Sequence, residues 1–188
     1  MLRLYTLKRT EEIVAAMGPL IVRVTGEYGV PAACMRAVLF REIREIDLMD
    51  AAADTAVRLG LFGRTDSSTG YAQIFSRTAI RALRFAEERG IETAESLGFS
   101  SLPSPDDAED VRRMWLRLNR DRTFNLRMGT LNLLAAAEEA AGETDFSRMT
   151  AEDLKRAFSR YNSSSCAVSP YGEEVYGLYL RYGGEPLP

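Results

Sequence analysis

Glu42 is the residue of this chain best set to move a proton. It lies in Ala37-Val38-Leu39-Phe40-Arg41-Glu42, a run of helix-compatible residues. On a 3.6-residue period each residue advances about 100°. Met35, Val38, Leu39, Ile46 and Met49 then fall within about 60° of the direction of Glu42. The spacing puts a carboxylate near the centre of an apolar stripe, where it must find a partner or take a proton. A raised carboxyl pKa is what a general acid working near neutral pH requires. Glu45, at the edge of the stripe, is the second choice. The competing role for Glu42 is an ion pair with Arg41, Arg81 or another arginine.

A polar run follows, Asp66-Ser67-Ser68-Thr69-Gly70, leading into Tyr71-Ala72-Gln73-Ile74. Short polar side chains cap turns and Gly permits positive φ, so this is a loop. Gly70 allows close approach, and Gln73 both donates to and accepts from hydroxyls. A buried acid facing such a loop suits a cleft for a hydroxyl-rich ligand. Asp66 is the one loop carboxylate placed to act as a second catalytic group, with an Asx-turn or helix cap as its alternative. Ser67 and Ser68 divide between turn chemistry and ligand contact.

Taken in order, Glu42, Ser67 or Ser68, Gly70-Tyr71-Ala72-Gln73-Ile74 and Thr78-Ala79 resemble the soluble lytic transglycosylases and goose-type lysozymes. The pattern of that family is a helical Glu, then Ser-x-x-Gly-Leu-Met-Gln-Ile, then Thr-Ala. Phe124-Asn125-Leu126-Arg127-Met128-Gly129 with Leu133-Leu134 is similar to its Asn-Ile-x-x-Gly-x-x-Tyr-Leu helix. Ala157 to Asn162 and then Tyr171 to Val175 are similar to its Ala-Ala-Tyr-Asn-Ala-Gly segment and closing helix. The resemblance covers roughly Pro31 to Tyr182. The chain departs from the pattern at Ile43, at Tyr71-Ala72, at Ser163-Ser164-Ser165, and in a longer gap between Glu42 and Gly70.

The resemblance implies a lysozyme-like, mainly α domain with a central buried helix carrying the catalytic Glu. It implies cleavage of the β-1,4 bond between MurNAc and GlcNAc of peptidoglycan, with Glu42 as acid and no cofactor or metal. It implies substrate contacts at Ser67, Ser68, Gly70, Tyr71, Gln73, Asn125, Tyr161 and Asn162. A transglycosylase needs no second carboxylate, whereas a hydrolase would draw on Asp66 as base. Because Asp66 has an easier task in capping its own turn, the expectation leans towards transglycosylase chemistry. The alternative is a non-catalytic module that binds glycan or a partner protein. Asn125 and Tyr161 each have a packing alternative as well.

The rest of the sequence constrains these readings. A chain of 188 residues fits one domain, with residues 1–30 as a helical extension and 31–182 as the core. The net charge of −3 gives no electrostatic footprint for nucleic acid. The absence of His excludes Ser-His-Asp and Cys-His mechanisms and argues against zinc. Cys34 and Cys166 form no disulfide framework, and Cys34 is expected in the core. The apolar run Ile13–Val24, broken by Gly18-Pro19 and Arg23, is neither a signal peptide nor long enough to span a membrane. The expectation is cytoplasmic synthesis without a signal peptide, no stable membrane insertion, and action in the cell envelope or export by a non-Sec route; an immunity or delivery protein stays open as a partner that the sequence does not identify.

Helical spacing after a Thr10 cap predicts a helix kinked or split at Pro19. Pro31 opens the helix of Glu42, whose pattern continues through Asp47 to Leu59 and stops at Gly60. Further helices are expected from Gln73 or Ser76 to Arg89, after Ser104-Pro105-Asp106-Asp107, over Phe124–Ala141, after Thr150, and over Tyr171–Tyr182. No alternating strand is present beyond a small hairpin expected near Leu61–Gly70.

Overall fold

The structure, a computed structural model, describes residues 3–59 and 66–186. These form nine helices and no strand, so the domain is mainly α. They are α1 (Leu7–Ala16), α2 (Gly18–Glu27), α3 (Ala32–Glu45), α4 (Leu48–Leu59), α5 (Ser76–Glu88), α6 (Ala108–Arg120), α7 (Arg122–Ala141), α8 (Ala151–Asn162) and α9 (Pro170–Arg181). Among the described residues no helix is long and apolar enough to cross a membrane.

Local chemistry explains most boundaries. Pro19 sits in the first turn of α2, where its missing N–H costs nothing, and the chain breaks at Met17. The cap of α1 is Thr6, which accepts from Arg9 N at 3.2 Å, rather than Thr10. Thr10 is buried inside the helix and donates back to Thr6 O. Asp107 caps α6 and Asp121 caps α7. Gly142 closes α7 at φ 69°, the left-handed conformation that glycine adopts without penalty. Thr150 and Asp153 form a reciprocal capping box at the start of α8.

Two expectations about the middle of the chain change. The Glu42 helix does not run on towards Leu59. It ends at Glu45, because Ile46 turns to an extended ψ of 126°. The Asp47 carboxylate then accepts from Met49 N and Asp50 N at 2.7 and 3.1 Å, starting α4 afresh. Met49 is 71% exposed and so lies off the stripe of Glu42. Centrality also shifts. α3 buries Cys34, Met35, Ala37, Val38, Leu39, Phe40 and Ile43 against α1, α2 and α9. The helix buried on every side is α7, from Phe124 to Ala137, with α2, α5, α6 and α8 packed around it. Gly60 and the first half of the expected hairpin, residues 61–65, lie outside the described residues; the described end carries one isolated antiparallel bridge, Thr69 with Ile74.

Candidate functional site

The loop before α5 is held by buried side chains from three helices. Asn125 of α7 accepts from Ala72 N at 2.9 Å and donates to Thr69 O at 3.0 Å. An Asn side chain that does both replaces a missing strand partner. Tyr161 of α8 donates its hydroxyl to Ala72 O at 2.9 Å. Gly70 has φ 68°, and a Cβ there would lie 2.2 Å from Asn125 Nδ2, so both the backbone and the clamp require glycine. Gly129 of α7 passes under the loop; a Cβ there would meet that of Ala72 at 2.8 Å. Further along, Ser67 accepts from Trp115 Nε1 and donates to Asp54 Oδ1, each at 2.9 Å. Thr69 donates to Asp54 Oδ2 at 2.9 Å.

This scaffold leaves Gln73 at a strained φ of 43°, a conformation uncommon outside glycine. Its Nε2 donates to Gly70 O at 2.7 Å. Gln73 faces the cleft at the junction of three cavities. One, of about 310 Å³, is lined by Glu42, Gln73, Phe75, Arg81, Arg160 and Asn162 among others. The second, of about 200 Å³, is lined by Glu42, Glu45, Asp50, Ser68, Gln73 and Asn162 among others. The third, of about 310 Å³, lies beyond Gln73 and includes Gly70, Tyr71, Asn125, Asp50 and Asp54.

Glu42 borders the first two cavities. Its Oε1 accepts a 2.5 Å hydrogen bond from the Tyr171 hydroxyl at the start of α9. Its Oε2 makes no hydrogen bond among the described residues. No Lys or Arg nitrogen among them lies within 4.0 Å of Glu42, so the expected competing ion pair is not formed. Arg41 is drawn off to Glu45 at 3.3 Å and Glu174 at 2.7 Å, and its guanidinium lies 5.5 Å over the Tyr171 ring. Burial pushes the Glu42 carboxyl up to about 7, against the pull of the Tyr171 hydrogen bond and the Arg41 charge; Glu45 and Asp50 add to the rise. The hydroxyls of Tyr161 and Tyr171 are pushed well above their usual range, first by burial and then by Glu42. Both stay neutral donors.

Glu42, Ser68, Gln73, Tyr161 and Asn162 therefore converge on one stretch of cleft, and Gly70, Tyr71 and Asn125 border its continuation. Asp66 and Ser67 line none of the three cavities. Both Asp66 oxygens cap α5, accepting from Ser76 N at 2.8 Å and Arg77 N at 3.2 Å. Asp66 thus serves a helix ten residues on, not its own turn and not the cleft.

Sequence spacing missed five contributors. Tyr171 lies 129 residues from Glu42, and only tertiary packing joins them. Phe75, half exposed, stands at the rim of both Glu42 cavities; an aromatic directly after Gln73-Ile74 was its one sequence signal. Asp50 was not among the candidate site residues; the chain breaks at Ile46, and Asp50 lines a cavity that Glu42 also borders. Arg81 and Arg160 line the opposite arm. Among the described residues no group of three His, Cys, Asp or Glu side chains is arranged to hold a metal. No protein-family model, curated protein or solved structure matches the chain.

Proposed function

We propose that this domain cleaves the β-1,4 bond between MurNAc and GlcNAc in peptidoglycan, with Glu42 as its single general acid. The observation that carries the reading is a cleft carboxyl whose proton is retained to about pH 7, with a neutral tyrosine as its one hydrogen-bond partner among the described residues. A proton on the unpaired Oε2 is available to a bridging oxygen. Transfer of that proton lets the glycosidic C–O bond break through an oxocarbenium-like state. The sugar's own C6 hydroxyl then closes onto the anomeric carbon and returns its proton to the Glu42 carboxylate, leaving a 1,6-anhydro end. No second carboxylate takes part in this scheme. Asp66 is committed to its cap, and one Asp50 oxygen accepts from Asp47 N at 3.0 Å. Gln73, Ser68 and Asn162 offer donors and acceptors to sugar hydroxyls, and the exposed Phe75 ring offers a face for a sugar to stack on.

The test is digestion of purified murein sacculi by the wild type, Glu42→Gln and Asp50→Asn, with mass spectrometry of the released fragments. The expected result is anhydro-ended muropeptides, lost in Glu42→Gln by about 10²–10⁴-fold in rate, the span of a general acid. Hydrated reducing ends abolished by Asp50→Asn would instead make Asp50 a water-activating base. Release of nothing by the wild type, with retained binding to sacculi, would support the non-catalytic glycan-binding module.

A further inference from the structure

We propose that the arm of the cleft between α5 and α8 is a carboxylate-binding subsite in which Arg81 selects, and sets the register of, an anion-bearing sugar. The proposal rests on the glycan-cleaving reading above. Arg81 and Arg160 both line the cavity that Glu42 borders, and Glu42 is the only carboxylate in its lining among the described residues. Arg160 is already engaged: its Nε meets Glu139 Oε2 at 2.5 Å and its Nη1 donates to Ser163 O at 2.7 Å. Those bonds fix its guanidinium. Arg81, one turn beyond Thr78 on the same face of α5, makes no ion pair or hydrogen bond among the described residues. Arg81 thus brings to this arm a positive charge that has no paired carboxylate among the described residues, and Glu42 offsets it only as its proton leaves, at about pH 7 and above.

The arm on the other side of Glu42 has the opposite character, with Glu45 and Asp50 in its lining. A ligand of neutral sugars alone gains nothing from such a division. A glycan in which alternate sugars carry a carboxylate would seat its charged sugar beside Arg81 and its neutral one beside Asp50. Guanidinium is suited to this because its forked donors match a carboxylate. In peptidoglycan the carboxylate could belong to the lactyl ether of muramic acid or to the peptide stem; the recognised chemistry is the same.

The experiment is equilibrium binding followed by NMR on the intact domain, so that it does not depend on cleavage. The probes are N-acetylmuramic acid with its free lactyl carboxylate, a muramoyl peptide whose lactyl group is amidated and whose charges lie on the stem, and neutral N-acetylglucosamine. The expected result is about tenfold tighter binding of a carboxylate-bearing probe than of N-acetylglucosamine. The preference should vanish in Arg81→Gln, persist in Arg84→Gln, one turn further along α5 and outside the cavity lining, and fade in 1 M salt. Preference for N-acetylmuramic acid assigns the subsite to the lactyl group, and preference for the muramoyl peptide alone assigns it to the stem. Equal affinity for all three probes, or a preference that survives Arg81→Gln, overturns the proposal even if sacculi are cleaved. Failure to cleave sacculi with the preference intact would overturn the glycosidase reading and leave the subsite standing.

Discussion

Replacing Glu42 by Gln should make the protein more stable, and only above a definable pH. In the native state the carboxyl holds its proton to about pH 7, against an ordinary value of 4.5, chiefly because it is buried. The unfolded chain releases that proton near the ordinary value. Below about pH 4.5 both states are protonated and the group contributes no difference. Between 4.5 and 7 the unfolded chain ionises while the native state does not, so wild-type stability falls as pH rises. Above 7 the native carboxyl ionises too and the loss levels off. That interval at about 1.4 kcal/mol per pH unit amounts to about 3 kcal/mol. It is an upper figure, because Glu42 is partly open to solvent in the cleft. A Gln side chain fills the same space, still accepts from Tyr171, and carries no charge to desolvate. Urea midpoints for the two proteins should therefore coincide at pH 4 and separate progressively to pH 8, with Glu42→Gln the more stable and the denaturant slope unchanged. Because the comparison is a difference between variants, the other titrating groups cancel. A variant no more stable than the wild type at pH 8, or a gap that does not open between pH 4.5 and 7, would refute the desolvated-acid argument, whatever the protein cleaves.

Two further perturbations probe the supports of the site. Tyr171→Phe removes the hydrogen bond that pulls the Glu42 carboxyl down. A charge-assisted bond of this kind should be worth about one pH unit, so the labelled Glu42 carboxyl carbon should titrate about that much higher by NMR; an unchanged or lower midpoint would contradict the assignment. Gly70→Ala places a methyl group on Asn125 and asks an alanine to adopt φ 68°, which should destabilise by about 2–4 kcal/mol; an unchanged urea midpoint would show that the clamp yields freely.

The helical character of the chain was readable because its helices are closed by local chemistry: Asp107, Asp121, Gly142, and the Thr150 box all act within four residues of the groups they satisfy. The candidate acid was readable for the same reason, since an isolated carboxylate on an apolar run stands out on one helix. What sequence spacing hid is everything set by a partner distant in the chain. Asp66 was divided between capping its own turn and acting as a base because the helix it caps begins only at Ser76. Asn125 and Tyr161 could not be divided between packing and ligand roles from spacing. In the structure each holds the loop from behind and also borders the cleft. The break after the Glu42 helix rests on a single residue, Ile46, whose extended ψ carries no strong sequence signature, so the place of Asp50 in the cleft was not readable.

The cleft therefore depends on groups that never need to touch a ligand. Ala72, at the centre of the loop, gives its N–H to Asn125 and its carbonyl to Tyr161, and rests on Gly129. Both of its backbone groups are satisfied by side chains from separate helices, which substitutes for a sheet in a domain whose described residues contain none. Holding Ala72 fixes its neighbour Gln73 in a conformation that a free chain would seldom adopt. That conformation aims one amide side chain at the meeting point of an acidic arm, a basic arm and the Glu42 carboxyl. Stability and site geometry are thus coupled through α7 and α8. Substitutions at the clamp should disturb the disposition of Gln73 relative to Glu42 before they unfold the domain, because α7 stays packed against its neighbours on every other face.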